Sequence, residues 1–227
     1  MLEDNYILEN AMEKIKKFDH IGLHYNLVAD QVYKMRFGKG TDPFSQSYIR
    51  YLIAGLISFD MGRMMGSRKY EIEHEGFARR LYRKITQIQT ICEQIIDSNI
   101  IQIDLNHYSS AIENVYHILS ENGEGALNED NKDHFYVGAT KILHFLNPNL
   151  FIIVDSNAAK AFRKTHNVRY RKGTQPGYTK EKYLECMTRV KEDITAFGLE
   201  DFKALDPNTP ITRIYDKLTF ISGQELE

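Results

Sequence analysis

KILHFLNPNLFIIVDSNAAKAFRK, residues 141–164, is the stretch on which the reading of this chain turns. Apolar residues at three- and four-residue spacing run up to Leu146 and predict a helix. Asn147-Pro148 ends it, because proline has no N–H to donate and disfavours helical backbone just before it. The apolar run LFIIV follows at 150–154, and Asp155 then stands at the start of a new helix that turns basic within two turns. Aspartate before a helix is a preferred cap, its carboxylate accepting backbone N–H bonds. A carboxylate is thus delivered to the end of a buried segment, at the entrance of a positive surface.

Working outward, the same helical spacing recurs and strand-like alternation is rare. Helices are expected over 5–18, 25–37, 44–65, 70–98, 108–120, 131–146, 156–166, 179–197 and 210–221. Gly38-Lys39-Gly40, Asn122-Gly123-Glu124-Gly125 and Asn147-Pro148-Asn149 punctuate them, as does the glycine-flanked stretch 173–177. Residues 99–105, NIIQIDL, are the best strand candidate and are too isolated to build a sheet. The expectation is an all-α protein of about nine helices, forming a single domain over 1–227 or two closely packed lobes pinched near 122–130. The segment 49–70 is apolar on nearly every face, as a central helix would be, with Asp60 and Arg63 placed to pair and Met61, Met64 and Met65 filling core. Leu52, Leu56, Ile57, Ile142, Leu143, Leu146, Ile152 and Ile153 are the expected core.

At 227 residues, 42% hydrophobic and 26% charged, the chain has the length and balance of a folded globular protein rather than a disordered one. Cys92 and Cys186 lie far apart without metal spacing, which points to a reducing, cytoplasmic setting. The acidic, amphipathic start is unlike a signal peptide. The most apolar window, YLIAGLISFDMG at 51–62, is broken by Asp60 and too short to span a bilayer, so no membrane partner is expected.

The net charge of −2 conceals an asymmetry. Residues 160–191 hold ten Lys/Arg against two Glu, a balance of +8, which leaves 19 Lys/Arg against 29 Asp/Glu elsewhere, or −10. Such a segment is an electrostatic footprint for DNA or RNA, because each cation that neutralises a phosphate releases a counterion. A solvated face that pairs with acidic helices of the same chain is the other reading.

Histidines offer little. His20 and His24 share a helix face, but no acidic residue completes a metal pattern, and Gly22 weakens the helix there. His134 and His144 lie ten apart on different faces, and His144 follows an apolar face as a core histidine would. No P-loop and no dinucleotide fingerprint after a strand is present, so neither metal nor cofactor is expected.

FIIVDSNAAKAFRK, at 151–164, resembles the helix-hairpin-helix DNA glycosylase superfamily, in which an apolar run delivers an Asp followed by a small residue, Asn or His, and a basic helix. Asp155-Ser156-Asn157 stands in that place, with Lys160 and Arg163 beyond it. VGATKILHF, at 137–145, resembles the tail of the hairpin motif. The chain departs from the pattern in lacking the proline-glycine hairpin before Gly138 and in setting Lys141 one place off the nucleophilic lysine's position. No four-cysteine cluster for iron and sulfur is present. The resemblance implies an all-helical base-excision enzyme with Asp155 as the catalytic carboxylate and Lys141 as the nearby amine. Phe135 and Tyr136 would hold a flipped base. Lys160, Arg163, Lys164, Arg169, Arg171 and Lys172 would meet phosphates. Two alternatives stay open: Asp155 is a cap alone, and the chain is a non-catalytic helical module that binds nucleic acid or a protein.

Overall fold

A computed structural model describes residues 5–56, 74–121, 125–127, 135–169 and 179–226, and among these every regular element is a helix. α1 (Ala11–Ile21) starts later than the periodicity predicts. Asn10 takes the left-handed conformation (φ 53°), and Asn5 folds the preceding residues into a turn by accepting the N–H groups of Ile7 and Leu8 at 3.2 and 3.3 Å. Gly22 separates α1 from α2 (Leu23–Tyr33) and could not carry a side chain, since a Cβ would lie 2.7 Å from the Phe18 ring. α2 runs into a π-turn, Lys34–Gly38.

α3 (Gln46–Leu56) buries Tyr48, Ile49, Leu52, Gly55 and Leu56 but leaves Tyr51 exposed. It is an ordinary amphipathic helix over its described length, so burial on nearly every face does not hold for 49–56. Ile57, Asp60, Arg63, Met61, Met64 and Met65 lie outside the described residues. α4 (His74–Cys92), α5 (Ser109–Ser120), α6 (Tyr136–Leu146), α7 (Ser156–His166), α8 (Lys180–Phe197), α9 (Leu199–Ala204) and α10 (Ile211–Gln224) follow.

The expected strand at 99–105 is instead a run of turns. Asn99 accepts the N–H groups of Ile101 and Gln102 at 3.0 and 2.9 Å, and Asp104 does the same for Asn106 and His107 at 3.0 and 3.1 Å. These local side-chain bonds offer the backbone an alternative to a ladder, while Ile100, Ile103 and Leu105 still turn inward.

Among the described residues, a helix buried on nearly every face is α10, where twelve of fourteen residues are buried. It packs on α7 most extensively, and also on α1 and α9. α5 packs on α4, α6 and α8, while α6 also meets α2 and α3. One apolar core runs from Ile7 to Leu218 and takes in Leu52, Leu56, Ile142, Leu143, Leu146, Ile152 and Ile153.

His144 lies at the middle of this core, fully buried between Tyr33 Oη at 2.6 Å and the Phe151 carbonyl at 2.8 Å. Burial holds its pKa down to about 3, so the ring is neutral. A neutral ring donates from one nitrogen and accepts at the other, which suits a carbonyl on Nδ1 and a hydroxyl on Nε2. His144 thereby ties α6 to α2 and to the apolar connector that ends at Asp155.

Candidate active site

Helix α7 begins where the sequence predicts. Asp155 is its N-cap, with extended backbone (φ −97°, ψ −170°) and a carboxylate oxygen accepting the Ala158 N–H at 2.9 Å. The connector before it, 150–154, is buried throughout, so the position of Asp155 is fixed from behind by core packing. It is fixed from ahead by α10. Gly223 meets the first turn of α7 so closely that a Cβ there would lie 2.1 Å from the Asn157 carbonyl oxygen.

Asp155 also borders a cavity. Asp155 and Lys141 line one small cavity of about 70 Å³, together with Arg213 and Asp216 of α10. Phe18, Tyr25, Ile153 and Phe220 form its apolar walls. α6 contributes the lysine, the start of α7 the first aspartate, α10 the second aspartate and the arginine, and α1 and α2 the aromatic cover. A volume of this size accommodates about two water molecules. It lies well below the roughly 300–1,000 Å³ typical of cavities that enclose a drug-sized ligand.

Arg213 and Asp216 are the residues that sequence reasoning missed. Both are buried, and Arg213 Nη1 donates to Asp216 Oδ2. Burial pushes the Asp216 carboxyl up to about 6, against the opposing pull of Arg213; the negative charge of Asp155 adds to the rise and Lys141 opposes it. The mutual influence places two carboxylates and two cations within one electrostatic neighbourhood. On a helical pattern, an Arg and an Asp three apart read as a surface pair. The signal that could have found them is the apolar company they keep, with Ile214, Tyr215 and Leu218 alongside.

A second and larger cavity, about 700 Å³, shares Arg213 with the first. Lys217 lies buried at its edge, donating to Asp19 Oδ1 at 2.7 Å and Asp206 Oδ2 at 2.6 Å. Asn26 joins the two sets, donating to Asp19 at 2.8 Å and accepting from Arg213 at 3.2 Å. A continuous polar network therefore runs from Asp216 through Arg213, Asn26, Asp19 and Lys217 to Asp206, partly buried between α1, α2 and α10.

The remaining predicted residues fall elsewhere. Phe135 is buried against Phe77, with its ring beneath Gly138, where a Cβ would lie 2.1 Å away. Tyr136 stacks on Tyr116 at 6.5 Å, and neither Phe135 nor Tyr136 lines the Asp155 cavity. Lys160 is half-buried on α7; Arg163 and Lys164 are exposed in its last turn, and Arg169 is exposed beyond it, donating to Asn167 at 2.8 Å. Arg171, Lys172 and His134 lie outside the described residues. Further along the basic segment the charges are paired within the chain: Lys180 with Glu113 at 3.4 Å, Lys182 with Glu185 at 2.5 Å, and Arg189 with Glu192 at 2.8 Å. Of these pairs, only Lys180–Glu113 joins this segment to another helix; the other two lie within α8, and Arg163 and Lys164 are exposed on α7.

Among the described residues no group of three or more His, Cys, Asp or Glu side chains is arranged to hold a metal ion. Cys92 and Cys186 are buried free thiols, and burial pushes both up, Cys92 to about 12, which suppresses the nucleophilic thiolate. No described helix is long and apolar enough to cross a membrane. Comparison with protein-family models, with curated proteins and with solved structures finds no match to the chain.

Proposed function

We propose that this chain acts on nucleic acid as a DNA glycosylase-like hydrolase, with Asp155 as the carboxylate that stabilises the sugar as its bond to the base opens. One observation carries the reading: Asp155 and Lys141, the pair named by the family resemblance, line the same cavity. Breaking a glycosidic bond develops oxocarbenium character, and a carboxylate held rigidly beside it stabilises that charge without having to reorganise. Asp155 is held in that way by the buried connector and by the close approach of α10. Exposed Arg163, Lys164 and Arg169 extend the site toward phosphates. The small cavity has room for an attacking water beside Asp155, and the larger cavity across Arg213 offers base-sized room.

The volume of about 70 Å³ also favours a second reading, a non-catalytic helical module that holds nucleic acid, because a cavity of that size takes water and not a base. The two are separated by incubating the wild-type chain with duplexes carrying a broad panel of damaged bases and measuring free base, beside a salt titration of duplex binding. Base release supports the hydrolase. Salt-dependent binding without release leaves the module, and no binding near physiological salt removes both.

A further inference from the structure

The carboxylate that the resemblance does not name is Asp216. It shares the cavity with Asp155, comes from a different element, and is held by Arg213 of its own helix. The groups that face it are Arg213 on α10, Asp155 at the start of α7, Lys141 on α6 and Tyr25 and Tyr33 on α2, while α1 contributes the uncharged Phe18. A buried carboxylate in a space of water size, across from a second carboxylate, has the two parts that hydrolysis at a sugar carbon needs: one group to stabilise the cation and one to take a proton from water. Its environment suits the second part, since burial has moved its proton affinity toward neutral pH while leaving it mostly ionised at pH 7.

We infer that Asp216 is the general base of this site, taking a proton from a water held in the cavity between it and Asp155. The inference rests on the hydrolase reading. As the C1′–N bond breaks, its electron pair leaves with the base nitrogen, which is protonated from solvent. The water oxygen forms the new bond to C1′, and the water proton passes to the Asp216 carboxylate. The products are the free base and an abasic sugar bearing a 1′-hydroxyl. Lys141 then acts by charge and not by adding to C1′.

The test is single-turnover base release between pH 4.5 and 8.5 by wild type, Asp216→Asn and Asp216→Glu, with borohydride present in a parallel set. Wild-type rate rises with pH through a limb near 6, Asp216→Asn loses at least 100-fold and the limb, and Asp216→Glu recovers part of both. No borohydride-trapped adduct forms. Thermal melts show whether Asp216→Asn folds. Should it not, the wild-type limb is compared with the Asp216 carboxyl titration followed by carbon NMR. Coincident midpoints support the assignment and separated ones overturn it. An active wild type with a trapped Lys141 adduct, or with a profile that Asp216→Asn leaves unchanged, overturns the role of Asp216 and leaves the hydrolase standing. A wild type that releases no base overturns the hydrolase, and the role of Asp216 with it.

Discussion

Replacing Gly223 with alanine probes the packing that positions the candidate site. A methyl at this position would stand 2.1 Å from the Asn157 carbonyl oxygen, 2.5 Å from its carbonyl carbon and 2.6 Å from its Cα. All three are backbone atoms in the first turn of α7, so no rotamer change relieves the clash. Helices α7 and α10 must separate by roughly 1 Å to restore van der Waals spacing, across the most extensive helix pairing among the described residues. Overpacking of a well-packed interior costs about 1–3 kcal/mol, occasionally more, and a backbone clash belongs at the upper end. Alanine returns about 1 kcal/mol through its helix propensity. The net loss is about 2 kcal/mol, or ~4–8 °C in Tm for a chain of this size. The assay is thermal unfolding followed by circular dichroism, with Gly38→Ala as control, since a Cβ at Gly38 meets nothing within 4 Å. Gly223→Ala should melt clearly below wild type and Gly38→Ala close to it. A Gly223→Ala protein as stable as wild type would show that α7 is not seated on α10 as described.

Three further outcomes follow from the same physics. The folded pKa of Asp216, about 6, lies above its ordinary value of 3.8, so its contribution to stability is full below about 3.8 and is lost as pH rises through about 6. The stability of Asp216→Asn relative to wild type should therefore move in the variant's favour by on the order of 2–3 kcal/mol from pH 3.5 to 7, on top of a pH-independent cost of leaving Arg213 without its carboxylate, measured by urea unfolding at each pH. For His144 the sign is reversed: its folded pKa of about 3 lies below the ordinary 6.5, so stability is full above 6.5 and is lost as pH falls toward 3. His144→Phe should cost roughly 1–3 kcal/mol at pH 7 by orphaning the Tyr33 hydroxyl, and should show a flatter acid limb in the same unfolding series. Converting Arg163, Lys164, Arg169, Arg171 and Lys172 to Gln should weaken duplex binding across sequences and lower the salt slope by about one for each phosphate that is no longer neutralised, read by gel shift.

The helical architecture was legible because periodicity and punctuation agreed. α7 matches its expected span, α5 and α8 begin within a residue of theirs, and Asp155 caps as its residue type suggests. What was not legible has local causes. Residues 99–105 mimic strand alternation because turns made by Asn99 and Asp104 place every second or third residue, Ile100, Ile103 and Leu105, inward. Helix α9 is short, and the left-handed Gly198 (φ 98°) that sets it off from α8 reads in sequence only as an ordinary stop. Apolar content marks 49–70 as a central helix, of which 57–70 lies outside the described residues, whereas α10 owes its burial to partners that satisfy its charges: Asp216 for Arg213, and Asp19 and Asp206 for Lys217. Tertiary pairing of that kind leaves no periodic trace. The same blindness hid half of the candidate site, since Asp155 and Lys141 stand in a local motif while Arg213 and Asp216 reach it only through the fold.

Whether Asp155 is more than a cap is isolated by Asp155→Asn. Asparagine caps a helix about as well as aspartate, so stability should fall by well under the ~1 kcal/mol typical of replacement by alanine. It carries no charge to set against a developing oxocarbenium ion, so base release should fall by at least 100-fold. Thermal unfolding and single-turnover base release on the same Asp155→Asn protein, beside wild type and Asp155→Ala, measure both at once. A near-wild-type melt with activity abolished is the expected result. Base release by Asp155→Asn within a few-fold of wild type, or none by wild type on any substrate of the panel, would refute the catalytic role and leave Asp155 as a helix cap.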